Sequence, residues 1–520
     1  METPPVKPSA LKIFCRKALF ALAVLVTLAA GFLAEEHWRG ASAWRNYKRE
    51  MEAKGEHFDA ARLIPPQVPD DQNFAMTPLF APILNLPPEV LSLPAAHVTN
   101  TVNGLRKEGV AGNQRGTNLG SLLPNTVIQP RRFSWQYGLA DDLLLWAAGF
   151  KGTNSATLPA EITDPVQAAS FILDNLKACE PTLAELQSAS ARPSCRFNIP
   201  YEVWDNPQAI SALLESFVII KGLDRVLTLH AEAEMVLGRT DQALKDIQVM
   251  FRADDGLKDE PLLISQLVRL AGASIILESV GEGLAEHRWS EAQLQVLQDR
   301  LSKTDLIAST VQALYGERDL CCNRKFDQGY IWPRGWNRLE QLNLNRAFNQ
   351  TVLPRIDLAG REISPSFTHS MNLAFHQSYE GKAFSALLHH NIMASMMLPA
   401  ISGVGEKVAF AQSEVDLAML ACALERYRLA QGQYPEELAA LAPRFVAVLP
   451  HDIINGQPLK YRRTEDGRFV LYSVGWNEKD DGGVVATAKT NPIGKDPRKN
   501  VPARHDTRQG DWVWQYPGGN

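Results

Sequence analysis

Cysteine is scarce. Six in 520 residues are too few for a disulfide scaffold, and no Cys-x-x-Cys pair exists, which excludes a zinc ribbon and a thioredoxin-like centre. Cys321 and Cys322 are adjacent, a poor geometry for bridging each other. Cys179 and Cys195 could pair in an oxidising compartment, closing a loop worth roughly 3 kcal/mol. Two free thiols are the other reading.

Charge of one sign is lacking too. The formal net charge is −5, without long single-sign blocks, so the chain has no broad basic surface and no nucleic-acid partner is expected. No P-loop, Gly-x-Ser-x-Gly elbow or His-Glu-x-x-His sequence occurs, which removes the readiest enzyme assignments. What is present is an ordinary globular balance, 45% hydrophobic and 21% charged, in a chain long enough for two or three domains.

Residues 18–34 run ALFALAVLVTLAAGFLA without a charge, preceded by Lys7, Lys12, Arg16 and Lys17. As helix this is about 25 Å, near the lower limit for crossing a bilayer core. Basic residues before it and Glu35, Glu36 after it predict a cytoplasmic tail (1–17), a single transmembrane anchor (18–34) in the cytoplasmic (inner) membrane, and an extracytoplasmic remainder. A cleaved signal peptide and a buried soluble helix are the alternatives, and the one small-x-small site, Ala29-Ala30-Gly31, lies inside the apolar run.

Eight prolines from Pro65 to Pro94 forbid regular helix there, so residues 35–135 are expected to form a Pro-rich juxtamembrane arm that spaces the body from the membrane or drapes over it. Helical signals dominate 136–402. Asp164-Pro165-Val166-Gln167 supplies an N-cap, a proline at N1 and a glutamine at N3, and Ser290-Glu291-Ala292-Gln293 is a capping box. Leu227 to Phe251 resembles one tetratricopeptide-type hairpin, with Leu237-Gly238 at the turn, small Ala243, and an apolar stripe of Leu244, Ile247 and Phe251. A generic α-helical domain fits equally. The fold class is therefore mainly α, closed by an α+β module over 403–520.

In that module, 413–430 is helical, with Leu417, Leu420, Leu424 and Tyr427 on one face, and Gly432 stops it. Strands at 459–463 and 468–474 flank Asp466-Gly467, a pair suited to a type I′ hairpin turn. The helix ending in ALERYRLAQGQYPEELAAL, the LPHDIINGQPLKY connection, and FVLYSVGWNEKDDGG before GDWVW occur in the order seen in one known head. The module resembles the C-terminal head of the major pseudopilin of type II secretion systems, and the whole chain resembles a family of membrane-anchored bacterial proteins carrying this head. A pseudopilin helix runs directly into its head, whereas here a long body intervenes, so the resemblance implies a fold and not fibre assembly. It also implies a calcium site at the positions matching Asn477 and Asp511. Calcium takes six to eight oxygens, and Asp480, Asp481 and Asp506 are the further oxygen donors nearby. The other reading is a solvated acidic turn.

Within the body, His369, His376 and Glu380 have the spacing of one helical face, followed by His389 and His390; they are either a metal site or ordinary exposed and core histidines. Tyr330, Trp332 and Trp336 with Arg334 and Arg338 form either a recognition patch or an aromatic corner between helices. The expected role is a membrane-anchored interaction or scaffold protein, its N-terminal helix in lipid and its helical body on a protein partner. The competing expectation is an extracytoplasmic hydrolase or metal-dependent enzyme with its site in the helical domain.

Overall fold

The computed structural model describes residues 10–81, 134, 136, 138, 140–150, 162–197, 199, 207–323, 334–379, 389–487 and 505–516. The described chain is mainly helical, with small sheets at its C-terminal end. In order the helices are α1 Ala10–Ala53, α2 Leu143–Phe150, α3 Pro165–Leu176, α4 Glu180–Ala189, α5 Pro207–Val236, α6 Thr240–Asp255 and α7 Leu263–Ala285. They continue as α8 Glu291–Ser302, α9 Leu306–Asn323, α10 Arg334–Ala347, α11 Pro365–Tyr379, α12 Ile392–Ile401 and α13 Val404–Gln431. The strands are β1 Lys460–Arg463, β2 Phe469–Ser473, β3 Val485–Thr487, β4 His505–Gly510 and β5 Trp512–Gln515.

The chain divides into two compact units, and the division departs from the order expected along the sequence. One unit gathers 1–60, 318–352 and 372–402; the other gathers 61–317, 353–371 and 403–520. The C-terminal module thus shares a unit with the helical body, because α13 lies along α7 and α8 and buries Val408, Leu417 and Leu420 completely.

In the first unit α1 is one continuous helix that does not stop at Glu35: the acidic pair ends the apolar run, but nothing there breaks a helix. Residues 35–53, expected to belong to a Pro-rich arm, are therefore helical. Phe14, Leu19, Phe20, Leu25 and Leu28 are all more than 60% exposed, while further along Tyr47 is buried with Phe58 and Leu342. Apolar, exposed and near the N-terminus, this first half of α1 is a candidate membrane span or signal sequence. Helix α7 is also long and apolar enough to cross a bilayer, but 67% of its most apolar window is buried, as in a core helix.

In the second unit the expected caps are in place. Asp164 accepts the Gln167 backbone N–H at 2.9 Å with Pro165 at the first turn of α3, and the Ser290/Gln293 box opens α8. Gly238, at φ +77°, turns α5 into α6, and Ala243 and Ile247 are fully buried between them. The described part of the Pro-rich stretch packs against the body: the Phe74 N–H donates to the Ser194 carbonyl at 2.8 Å, and the Phe80 ring lies tilted against that of Phe197, centroids 5.8 Å apart. Residues 82–133 lie outside the described residues.

Helix α13 starts nine residues earlier than expected and stops at Gly432 as expected, where a φ of +79° makes the glycine a left-handed cap. Strands β1, β2 and β5 form an antiparallel sheet, with Tyr461 opposite Leu471 and Leu471 opposite Trp514, and β3 pairs with β4. The β1–β2 turn is not type I′. Only Gly467 has positive φ, and its N–H donates to the Thr464 carbonyl at 3.0 Å in a longer turn, with Asp466 bonded to the Thr464 hydroxyl.

Candidate functional site

A cavity of about 470 Å³ opens in the second unit where the first turns of α2 and α3 meet the last turns of α5 and α7. Its walls combine Leu144, Val166 and Met235 with the acids Asp141, Glu232 and Glu282, and Arg288 sits at its lining. Asp142 caps α2 by accepting the Leu145 N–H at 3.1 Å, which fixes the preceding residue, Asp141, at the cavity. Asp141 is held further by the Trp146 indole N–H on its Oδ1 at 3.1 Å.

Glu232 is 2% exposed, and neither of its carboxyl oxygens has a hydrogen-bond donor. What faces it is another carboxyl, Asp141. Burial first, and then that neighbour, push Glu232 well above the usual carboxylate range. Glu282 accepts the Asp141 backbone N–H at 3.3 Å; burial and the Asp141 charge raise it to about 8. Burial thus favours the protonated form of both Glu232 and Glu282, and Asp142 and Glu286 line the same cavity. Nothing in local sequence order joins these residues. The available signal was a pair of glutamates at core positions of two apolar helices: Glu232 shares the buried face of α5 with Leu229 and Met235, and Glu282 lies among Val280 and Leu284.

A second buried constellation lies nearby. His230, 1% exposed, is 2.7 Å through Nδ1 from Asp246 and 3.4 Å through Nε2 from Glu180, and Gln187 donates to the other Asp246 oxygen at 2.7 Å. This cluster locks α4 to the α5–α6 hairpin.

The acids singled out for calcium are partly gathered. Asn477 donates to Asp481 Oδ2 at 2.7 Å, and Asp511 accepts the backbone N–H groups of Asp481, Gly483 and Val484 at 3.2, 2.6 and 3.3 Å. Asp480 turns to Lys460 (3.2 Å) and the Tyr472 hydroxyl (3.0 Å), and Asp506 accepts the Arg508 N–H at 3.1 Å. The donor set is calcium-like in kind, all oxygen, but both Asp511 oxygens are engaged with the loop backbone. Among the described residues no group of three or more His, Cys, Asp or Glu side chains is arranged to hold a metal ion.

Of the other candidates, His369 and His389 are exposed and His390 is buried, 5.1 Å from the Trp336 ring; the side chain of His376 and all of Glu380 lie outside the described residues. Trp336 is a helix contact, its indole N–H donating to Glu36 at 2.6 Å, and Arg338 donates to Gln341. Tyr330, Trp332 and the Arg334 side chain lie outside the described residues. Cys179 and Cys195 are free thiols, each raised by burial. No protein-family model, curated protein or solved structure matches this chain.

Proposed function

We propose that the chain is a membrane-anchored interaction or scaffold protein, rooted in the cytoplasmic membrane by the first half of α1 with its body on the extracytoplasmic side. The observation that carries this reading is the contrast along α1: a run of large apolar side chains left bare, followed in the same helix by a half that packs. Isolated exposed leucines need no explanation, but a continuous apolar cylinder in water does, and lipid removes the cost. Lys7, Lys12, Arg16 and Lys17 before the run favour an inside N-terminus. The tetratricopeptide-like hairpin of α5 and α6 and the pseudopilin-like end support a body that binds a protein partner. In that end Asn477, Asp480, Asp481, Asp506 and Asp511 are the oxygen donors we assign to calcium.

One observation favours an enzyme instead: Glu282, protonated at neutral pH in an open cavity, has the form of a general acid. A reporter fused after Asn520 tests the main reading. Activity only outside the cytoplasm supports it, and activity inside overturns it.

A further inference from the structure

Burying a carboxyl without a donor is costly, and the cavity above is lined by one such carboxyl, Glu232. Asp141 comes from the loop before α2, Glu232 from the last turns of α5 and Glu282 from those of α7, so three acceptors on three separate elements converge. Arg288 has a nearer carboxylate, Glu286 at 3.8 Å, and Glu232 is left with no donor.

We propose that this cavity binds the primary ammonium end of an aliphatic amine, with Glu232, Asp141 and Glu282 as its acceptors and Leu144, Val166 and Met235 against its methylene chain. Three features choose this chemistry. A volume of about 470 Å³ is that of a small-molecule pocket and far exceeds what a bare ion needs. The apolar share of the wall asks for a ligand with an apolar body. An ammonium offers three divergent donors, matching acceptors on three elements, whereas a planar guanidinium is best met by one carboxylate taken two-pronged. Burial and the Asp141 charge hold Glu282 up at about 8, so entry of the ammonium ionises a carboxyl: the ligand keeps its charge, the carboxylic acid becomes carboxylate, and a proton leaves to solvent. This inference goes beyond the anchored role above, since neither membrane retention nor a protein partner enters it.

The test is calorimetric titration of the full chain in detergent with three probes: cadaverine, N-acetyl-lysine methylamide as a lysine within a polypeptide, and 1-pentanol as a neutral analogue. We expect saturable binding of at least one amine, none of pentanol, and a heat that varies with the ionisation enthalpy of the buffer, reporting proton release. The tighter amine tells a free diamine from a lysine side chain. Glu232→Gln should weaken binding about ten- to a hundredfold and reduce the proton release, and Glu282→Gln should act in the same direction. Failure of both amines to bind up to about 10 mM, or unchanged affinity in both folded variants, overturns the proposal.

Discussion

Gly40 and Gly335 bring α1 and α10 of the first unit together backbone to backbone. A Cβ on Gly40 would stand 2.0 Å from the Gly335 carbonyl oxygen, and one on Gly335 would stand 1.9 Å from that of Glu36. Around this point Glu36 binds Trp336 and Tyr47 donates to Asn345 at 3.0 Å.

Gly40→Leu should therefore force the helices apart and lower stability by roughly 3 kcal/mol or more, read as a fall in Tm. Gly31→Ala, where a Cβ meets nothing within 4 Å, should leave Tm unchanged or slightly raised. Equal losses in both variants would show that the crossing does not depend on the absence of a side chain.

Glu425, in the last two turns of α13, sits in a buried network. It takes Arg428 in a two-pronged pair at 2.9 and 2.6 Å, the Tyr434 hydroxyl at 2.7 Å and His287 Nδ1 at 2.9 Å. Burial alone would raise its pKa, but these partners hold it down to about 2, below the ordinary 4.5. Depressed in the folded state, the group contributes about 3 kcal/mol that is fully present above pH 4.5 and is lost as pH falls toward 2. Denaturation of wild type and Glu425→Gln across pH 2–6 should show the wild-type advantage shrinking with acid; a constant difference would refute the assignment.

His230 has the opposite sign. Burial opposes its charge, yet the Asp246 hydrogen bond and the Asp246 and Glu180 charges raise its pKa to about 9 from 6.5. Its contribution, at most about 3 kcal/mol, is complete below pH 6.5 and is lost as pH rises through 9. Urea titrations of wild type and His230→Gln between pH 6 and 10 should converge at the alkaline end. Parallel curves would mean that His230 stays neutral.

Much of the local structure was legible. The Asp164 and Ser290 starts, the Gly238 turn and the Gly432 stop each rest on residues within one helical turn of each other, where capping chemistry acts. What could not be read was non-local. The onset of α13 at Val404 and its seat on α7 and α8 depend on partners far along the chain, and the run to Ala53 in α1 shows that a change of hydropathy is not a helix end. The cavity was missed for the same reason: Asp141, Glu232 and Glu282 each look like one acid in its own segment, and only the packing of α2, α5 and α7 makes them neighbours.

Calcium at the C-terminal end is tested on the full chain, because α13 of that module buries its face against the body. Millimolar calcium should raise Tm of chelator-stripped protein by mass action on the folded state, and Asp481→Ala should abolish the rise. Asp511 is the wrong residue to replace, since its loss would free the backbone N–H groups of Asp481, Gly483 and Val484 whether or not calcium binds. An unchanged Tm in the wild type would remove the calcium assignment.

The central claim, that the bare half of α1 is held in lipid, is tested most directly by alkaline carbonate extraction of membranes bearing the full chain. The account predicts that the protein stays in the pellet with residues 14–33 intact, and that Leu25→Lys with Leu28→Lys, which places two charges in the apolar run at a cost of about 2.5–3.5 kcal/mol each, releases a substantial fraction. Recovery of the wild type in the supernatant, or of a shortened chain lacking that segment, would contradict it.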